Sequence, residues 1–229
     1  MEKRPEALLL KFPGTNCDEE TARALRAVGF GTTVIPFGIL TADRLFRSDL
    51  FVIPGGFSYG DYILAGRFAQ LEIERKLGKA LGDYKDKGGY ILGICNGFQI
   101  LTKLGLLPEG SLIENVNGRF LCRWVRLKPV RRDTPYLSLM PDTFELPIAH
   151  KEGRFVAADG WAEEYVRSGL APLLYEDNAN GSACAIAGLQ DPTGRVFGLM
   201  PHPERFLFRE DHYVRQWSGD AKWGWGYYF

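Results

Sequence analysis

Length, composition and charge limit the classes of protein to which this chain can belong. Its 229 residues are 45% apolar, enough to bury a full hydrophobic core, and we expect residues 1–229 to form a single domain. The 28 basic and 28 acidic residues cancel and are mixed along the chain, which argues against nucleic acid or an anionic membrane as a partner. The first apolar run is too short for a signal peptide and no segment approaches a membrane span, so we expect a cytoplasmic protein.

The first half of the chain alternates short apolar runs with helical patterns. The runs "ALLLKFPG", "TTVIPFG", "LFVIPGG" and "GGYIL" are typical of short buried strands. Between the first two, Asn16 can cap a helix whose first turn carries Asp18, Glu19 and Glu20 and which ends at Gly29. A strand, helix, strand rhythm predicts a mostly parallel sheet that is covered on both faces.

The segment "GICNGFQ", residues 93–99, places Cys95 between a strand and a helix that ends at Gly105. The pattern G-x-C-x-G has the form of a nucleophile elbow, with sulfur in place of the serine oxygen. The amino end of the helix would favour the thiolate form of Cys95 through its N–H groups and dipole. Cys95 is therefore the candidate nucleophile.

After about residue 118 the pattern changes to that of antiparallel strands. "RFLCRWVRLKPV" alternates apolar and polar residues, and "ACAIAGLQDPTGRVFGLM" is typical of a hairpin that turns at residues 191–194. Ligands of open parallel sheets bind at the carboxyl ends of the strands. "PGGFSYGD", "GICNGFQ" and "LMPHPER" all follow strands, so we expect their side chains to share one crevice.

A catalytic cysteine needs a base, and the sequence contains three histidines: His150, His202 and His212. His202 follows an apolar strand and has Glu204 two residues on. In an extended segment these two side chains point to the same side, so Glu204 could orient His202. His212 lies in the polar segment "FREDHYVRQ" and is predicted to be a solvated surface residue.

Simpler interpretations compete with several of these assignments. Gly55 and Gly56 could simply form a tight turn, although glycines also let N–H groups approach an oxyanion. The four cysteines, Cys17, Cys95, Cys122 and Cys184, are far apart, show no metal-ligand spacing and are expected to be free thiols. Cys122 and Cys184 are predicted to be inert core residues.

The combination of "PGGFSYGDY", "GICNGFQIL", "PIAHKEGR", "NGS" and "MPHPER" resembles the triad-type glutamine amidotransferase family. Within that family the chain is similar to the glutaminase subunits of phosphoribosylformylglycinamidine synthase. The resemblance implies an α/β, flavodoxin-like three-layer sandwich with a mostly parallel central sheet and additional antiparallel strands in the second half. It also implies that the single expected domain is a glutamine amidotransferase domain.

The resemblance assigns roles to the candidate residues. Cys95 would attack the side-chain amide of glutamine, His202 would accept and then deliver a proton, and Glu204 would hold His202. The N–H groups around Gly56 and Asn96 would form the oxyanion hole. Gly55 and Gln99 would contact the glutamine. Three further residues, Asn16, Asp61 and His150, are candidates for the crevice mouth or a partner surface because their loops are rich in polar residues and glycine.

The resemblance further implies that this chain produces ammonia for another subunit. No phosphate-binding GxxxxGK[ST] loop and no acidic cluster suited to Mg²⁺ is present in the sequence. We therefore expect no cofactor or metal on this chain. ATP and Mg²⁺ would bind a separate synthetase subunit that converts formylglycinamide ribonucleotide to the amidine, with a small accessory subunit as a further candidate partner.

Two alternatives stay open at this point. One is another cysteine hydrolase with the same elbow, such as a γ-glutamyl hydrolase or a peptidase-like relative. The other is a non-catalytic binding subunit in which Cys95 is structural.

Overall fold

The structure is a computed structural model that describes residues 4–57 and 65–214. The chain divides into two units: the first comprises Met1–Leu107 with Arg195–Gly198, and the second comprises Pro108–Gly194 with Leu199–Phe229. In the described ranges no helix is long and apolar enough to cross a bilayer.

The first unit contains the parallel part of the fold. Its elements are β1 (Glu6–Lys11), α1 (Asp18–Ala27), β2 (Gly31–Pro36), α2 (Ala42–Leu45), β3 (Leu50–Ile53), α3 (Ala65–Leu77), α4 (Ala80–Asp86), β4 (Tyr90–Ile94), α5 (Asn96–Lys103) and β11 (Val196–Leu199). The strands occur in the order β2-β1-β3-β4-β11, the flavodoxin-like order in which the first strand lies between the second and the third. The pairs β1/β2, β1/β3 and β3/β4 are parallel.

The helix after β1 begins one residue later than predicted. Cys17, not Asn16, occupies the N-cap position, and its side chain makes no capping hydrogen bond. The acidic first turn of Asp18, Glu19 and Glu20 is present and complements the helix dipole. Gly29 follows the helix with a φ of 101°, as expected for a glycine that ends a helix. The helix was predicted correctly, and its cap was not.

The second unit contains the antiparallel part of the fold. Its elements are β5 (Ser111–Ile113), β6 (Leu121–Pro129), β7 (Phe144–His150), β8 (Arg154–Val156), α6 (Trp161–Ser168), β9 (Leu173–Tyr175) and β10 (Ile186–Gln190). The strand order is β10-β9-β6-β7, with β5 and β8 forming a separate antiparallel pair. The strands β6 and β7 pair over seven residues, from Leu121 opposite His150 to Leu127 opposite Phe144.

The predicted fold class is confirmed by these strands. The parallel strands lie in the first half of the chain and antiparallel pairs dominate the second half. The predicted turn at residues 191–194 is also present, with the Gly194 N–H donating to the Asp191 carbonyl over 2.9 Å. The prediction that residues 1–229 form a single domain stays a prediction.

Candidate functional site

Cys95 lies on a sharp turn between β4 and α5. Its φ is 51° and its ψ is −105°, a combination that residues with a side chain seldom adopt because it is strained. Cys95 occupies the N-cap position of α5, and its sulfur makes no capping hydrogen bond. The side chain is 7% exposed. The strained turn predicted from "GICNGFQ" is therefore present in the fold.

The glycines beside Cys95 are required by packing. A Cβ atom at Gly97 would collide with the carbonyl oxygen of Ile53, at the end of β3. A Cβ at Gly93 would lie 2.7 Å from the carbonyl carbon of Gly97 and 2.6 Å from a methyl of Leu101. The first turn of α5 therefore rests directly on the end of β3, which only glycine permits. This close approach fixes the position of the Cys95 turn.

The loops after β1 and β3 are joined by backbone hydrogen bonds. The Cys17 N–H donates to the Gly55 carbonyl over 3.3 Å, and the Phe57 N–H donates to the Gly14 carbonyl over 3.0 Å. Gly56 lies between them and forms an antiparallel bridge with Thr15. The N–H of Gly56 takes part in neither the Cys17–Gly55 nor the Phe57–Gly14 hydrogen bond. In a planar trans peptide the N–H points away from the carbonyl. The Gly55 carbonyl is held by Cys17, so the N–H of Gly56 is directed away from the β1 loop.

Gly56 has a conformation that a side chain would disturb. Its φ is 137°, and a Cβ there would lie 2.7 Å from the backbone nitrogen of Asn16. The positive φ and the lack of room for a Cβ both explain why position 56, the second glycine of "PGGF", is glycine. Because β1, β3 and β4 are parallel, these loops and the Cys95 turn leave the same edge of the first unit's strands. Strand order changes direction between β1 and β3, which is where open α/β sheets bind ligands.

Asn96 and Gln99 interact with each other in the first turn of α5. The Asn96 side-chain amide donates to the Gln99 carbonyl oxygen over 2.9 Å. The Gln99 N–H donates to the Cys95 carbonyl over 3.2 Å. Both side chains are half-buried. This interaction places Gln99 one turn beyond Cys95, as predicted, and its contact with a substrate stays a prediction.

His202 and Glu204 form a buried pair in the second unit. His202 Nδ1 donates to Glu204 Oε1 over 2.7 Å, and the two residues are 1% and 0% exposed. The sequence predicted this pairing, but for an extended segment. In the structure Pro203–Arg205 forms a short 3-10 turn that follows an extended His202. The turn, with prolines on both sides of His202, brings the carboxylate back to the imidazole.

The pairing determines which nitrogen of His202 is available for chemistry. A carboxylate only accepts hydrogen bonds, so Nδ1 carries the hydrogen and Nε2 is the nitrogen that can take a proton. A buried carboxylate also stabilises a positive charge on its neighbour, because neither group is exposed to water. The His202–Glu204 pair therefore has the geometry of a general base with an orienting acid.

His150 is buried, contrary to the prediction that it lies in an exposed loop. It is the last residue of β7 and is 4% exposed, because the alternate residues of this strand face the core. Its Nδ1 lies 3.1 Å from Asn115 Oδ1. Burial, and secondly the charge of His202, lower the pKa of His150 to about 4.

Three residues outside the candidate site differ from prediction in their burial. His212, predicted to be solvated, is 3% exposed. It packs against Trp124 and pairs with Glu145, with 2.9 Å between His212 Nε2 and Glu145 Oε2. Cys122 and Cys184, predicted to be core residues, are both exposed. Cys122 is on the outward side of β6, and Cys184 is in a short 3-10 turn with a φ of 48°.

The remaining predicted residues are distributed unevenly. Asn16 is exposed in the β1 loop, in keeping with a surface role. Asp61 and the aromatic segment near the carboxyl terminus lie outside the described residues.

Asn115 was not predicted from the sequence, because "ENVNGRF" carries no motif of catalytic residues. The pairing of Cys95 with His202 joins residues of the two units and stays a prediction.

Comparison with known proteins identifies relatives along nearly the whole chain. Residues 4–226 match a family model described as a CobB/CobQ-like glutamine amidotransferase domain. A protein of Synechococcus sp. (strain JA-3-3Ab) named phosphoribosylformylglycinamidine synthase subunit PurQ is 44% identical over 201 residues, 86% of each chain. A protein of the same name from Pyrococcus furiosus is 40% identical over 93% of this chain and 95% of its own.

A solved structure with the same fold is also known. The structure of PurLQS from Thermotoga maritima superimposes with a TM-score of 0.79 and 37% sequence identity. The match covers 91% of this chain and 92% of the chain compared.

Proposed function

The chain belongs to the CobB/CobQ-like glutamine amidotransferase family, and from this premise we propose that it is the glutaminase subunit of a phosphoribosylformylglycinamidine synthase. It hydrolyses glutamine to glutamate and ammonia and supplies the ammonia to a synthetase subunit, in de novo purine biosynthesis. The observation that carries this proposal is the 44% identity with a curated relative of that name across 86% of both chains. One family model spans residues 4–226, which supports a single glutamine amidotransferase domain over the chain.

In the proposed mechanism Cys95 is the nucleophile. Its sulfur attacks the side-chain carbonyl carbon of glutamine, and His202 Nε2 takes the thiol proton. The strained elbow supports this role, because strain of this kind is retained where a side chain must be presented at a turn. The carbonyl oxygen becomes an oxyanion, for which the N–H groups of Gly56 and Asn96 are the proposed donors.

His202 then acts as a general acid. Its Nε2 proton passes to the amide nitrogen as the carbon–nitrogen bond breaks, which releases ammonia and leaves a glutamyl thioester on Cys95. Water attacks the thioester, His202 takes a proton from that water, and glutamate leaves as the sulfur is released. Glu204 holds the His202 ring and stabilises its charged form, as supported by their contact of 2.7 Å. Gly55 and Gln99 are the proposed contacts for glutamine.

A partner is needed to use the ammonia. The curated relatives are named as subunits, and the structural relative is named PurLQS, so each name describes an assembly larger than this chain. We assign ATP and Mg²⁺ to the synthetase subunit and propose a small accessory subunit as a third component. Asn16 and Asp61 belong to the segments proposed to lie at the crevice mouth or to face a partner. The cytoplasm is the proposed compartment.

The proposal is tested with Cys95→Ser in the complex with the synthetase subunit. Glutamine-dependent synthesis of the amidine should fall by several powers of ten, because the variant lacks the nucleophile. Synthesis from added ammonium chloride should continue at the wild-type rate, because the synthetase chemistry is untouched. Cys122→Ser is the matched control, since that thiol is exposed on β6 and lies outside the proposed site. Retention of glutamine-dependent synthesis in Cys95→Ser would overturn the proposal.

A further inference from the structure

The hydrogen bonds around Asn115 determine which nitrogen of His150 carries a hydrogen. The Asn115 side-chain nitrogen donates to the carbonyl of Arg119 and to the carbonyl of His150, each over 2.9 Å. Asn115 Oδ1 accepts from the Gly153 N–H over 3.4 Å. The amide is therefore oriented with its oxygen toward His150 Nδ1, so Nδ1 must be the donor.

Nε2, the second ring nitrogen of His150, then carries no hydrogen and can only accept a hydrogen bond. Nε2 is buried and has no hydrogen-bond partner within residues 4–57 and 65–214. The ring cannot easily turn away, because Gly153 packs so closely against Nδ1 that a Cβ there would collide with it. Buried acceptors are normally satisfied, so a buried acceptor without a partner indicates a donor that the described residues do not supply.

The position of this acceptor relates it to His202. The His202 N–H donates to the Pro147 carbonyl over 2.8 Å, three residues before His150 on β7. His202 is close enough for its charge to contribute to the low pKa of His150. His202 is the residue proposed to protonate the departing nitrogen. The strand that binds the His202 backbone thus ends at His150, and an acceptor in the surroundings of His202 could receive an N–H of that nitrogen.

We propose that His150 Nε2 accepts a hydrogen bond from the nitrogen that leaves the substrate amide, with Asn115 as the positioning residue that sets the tautomer. The inference rests on the proposed glutaminase function. With a pKa of about 4, His150 stays neutral at pH 7. It therefore accepts an N–H hydrogen bond without giving ammonia a proton, and ammonia keeps the lone pair with which it attacks the next substrate. A neutral ring also adds no second positive charge beside protonated His202.

Hydroxylamine provides a test, because it enters the reaction from the side on which ammonia leaves. Its nitrogen attacks the glutamyl thioester, the carbon–sulfur bond breaks, His202 takes a proton from the nitrogen, and γ-glutamyl hydroxamate is released. Water gives glutamate from the same thioester. The ratio of hydroxamate to glutamate, measured with glutamine and the chain in complex with the nucleotide-loaded synthetase subunit, therefore reports on the nitrogen site and not on formation of the thioester.

His150→Asn keeps an N–H near the position of Nδ1 and removes Nε2. We expect the hydroxamate-to-glutamate ratio to fall roughly tenfold, as for loss of one hydrogen bond. His150→Gln can place an amide oxygen near the position of Nε2 and should restore most of the ratio. Asn115→Ala removes the acceptor that keeps the hydrogen on Nδ1, so the hydrogen can move to Nε2 and the ratio should also fall. It provides a second variant if His150→Asn does not fold. His212→Asn, which alters another buried histidine of the second unit, should leave the ratio unchanged.

Three outcomes would overturn the inference. A wild-type ratio in both His150→Asn and Asn115→Ala would mean that Nε2 contacts only water or has a packing role. An equal fall in His212→Asn would show that the ratio follows stability instead of the nitrogen site. A wild-type chain that, in complex with the nucleotide-loaded synthetase subunit, converts glutamine neither to hydroxamate nor to glutamate would overturn the proposed function, and this inference with it.

Discussion

Substitution of Gly97 by alanine tests whether the elbow is held by the contact of α5 with β3. The new Cβ would collide with the Ile53 carbonyl oxygen and lie 2.8 Å from its carbon, where ordinary contacts begin at 3.4 Å. The clash is with the backbone of Ile53 at the end of a buried strand, which cannot give way as a side chain can. The helix must therefore move by more than the difference of about 0.6 Å between 2.8 and 3.4 Å. Overpacking of this kind costs about 1–3 kcal/mol, which lowers the Tm by roughly 2–4 °C per kcal/mol in a chain of this size.

The same displacement moves Cys95, which precedes α5. A shift of about 1 Å at a catalytic group costs on the order of 10²-fold in rate, so we expect glutaminase activity to fall at least tenfold. Gly82→Ala is the matched control: Gly82 lies in α4, a Cβ there meets nothing within 4 Å, and the change should stabilise the chain by about 0.5–1 kcal/mol. Thermal unfolding and glutaminase assays of both variants decide the matter. Equal Tm values and activities in the two variants would refute the packing argument.

Three further predictions concern the base, the buried imidazole and the partner. His202→Asn should reduce glutaminase activity nearly as much as loss of Cys95, whereas the loss in Glu204→Gln should be roughly 10²-fold smaller. If Cys95→Ser and His202→Asn are combined and their losses add, Cys95 and His202 do not act as a single catalytic unit. The unfolded chain binds a proton at His150 between pH 6.5 and 4 that the folded chain does not, because the folded pKa is about 4. Neutral His150 therefore contributes to the free energy of unfolding above pH 6.5, and about 3 kcal/mol of that free energy is lost as the pH falls to 4. In urea unfolding at pH 7 and 4.5, the stability of His150→Asn should depend less on pH than that of the wild type. An equal pH dependence would contradict this role of His150. The isolated chain should hydrolyse glutamine slowly and be stimulated by the nucleotide-loaded synthetase subunit, because a glutaminase that acted alone would waste glutamine. Asp61→Lys should weaken complex formation while ammonia-dependent synthesis survives. A full rate in the isolated chain would contradict activation by the synthetase subunit.

The features that the sequence predicted well depend on local patterns. The strand, helix, strand rhythm follows from short apolar runs that end in glycine or proline, and four predicted strands correspond to β1–β4. The elbow at Cys95 follows from G-x-C-x-G, since glycines at both sides are required by contacts with Ile53 and Leu101. The pairing of His202 with Glu204 depends on two positions only two residues apart.

The predictions that were wrong depend on contacts distant in sequence. His212 lies among polar residues along the chain, yet Glu145, 67 residues away, pairs with it and Trp124 covers it. His150 is buried because alternate residues of β7 face the core, and its partner Asn115 is 35 residues away. Cys122 and Cys184 are small and apolar, but the direction in which a strand or turn presents them is set by tertiary packing.

The most direct test of the central claim is covalent labelling by a glutamine analogue that carries an electrophile, followed by peptide mapping. Cys122 and Cys184 are exposed and Cys95 is buried, so simple accessibility favours the wrong thiols. We predict that the analogue modifies Cys95 first, that free glutamine protects it, and that His202→Asn slows the labelling. First modification of Cys17, Cys122 or Cys184, or labelling of Cys95 at a rate that glutamine does not change, would contradict Cys95 as the nucleophile of a glutaminase.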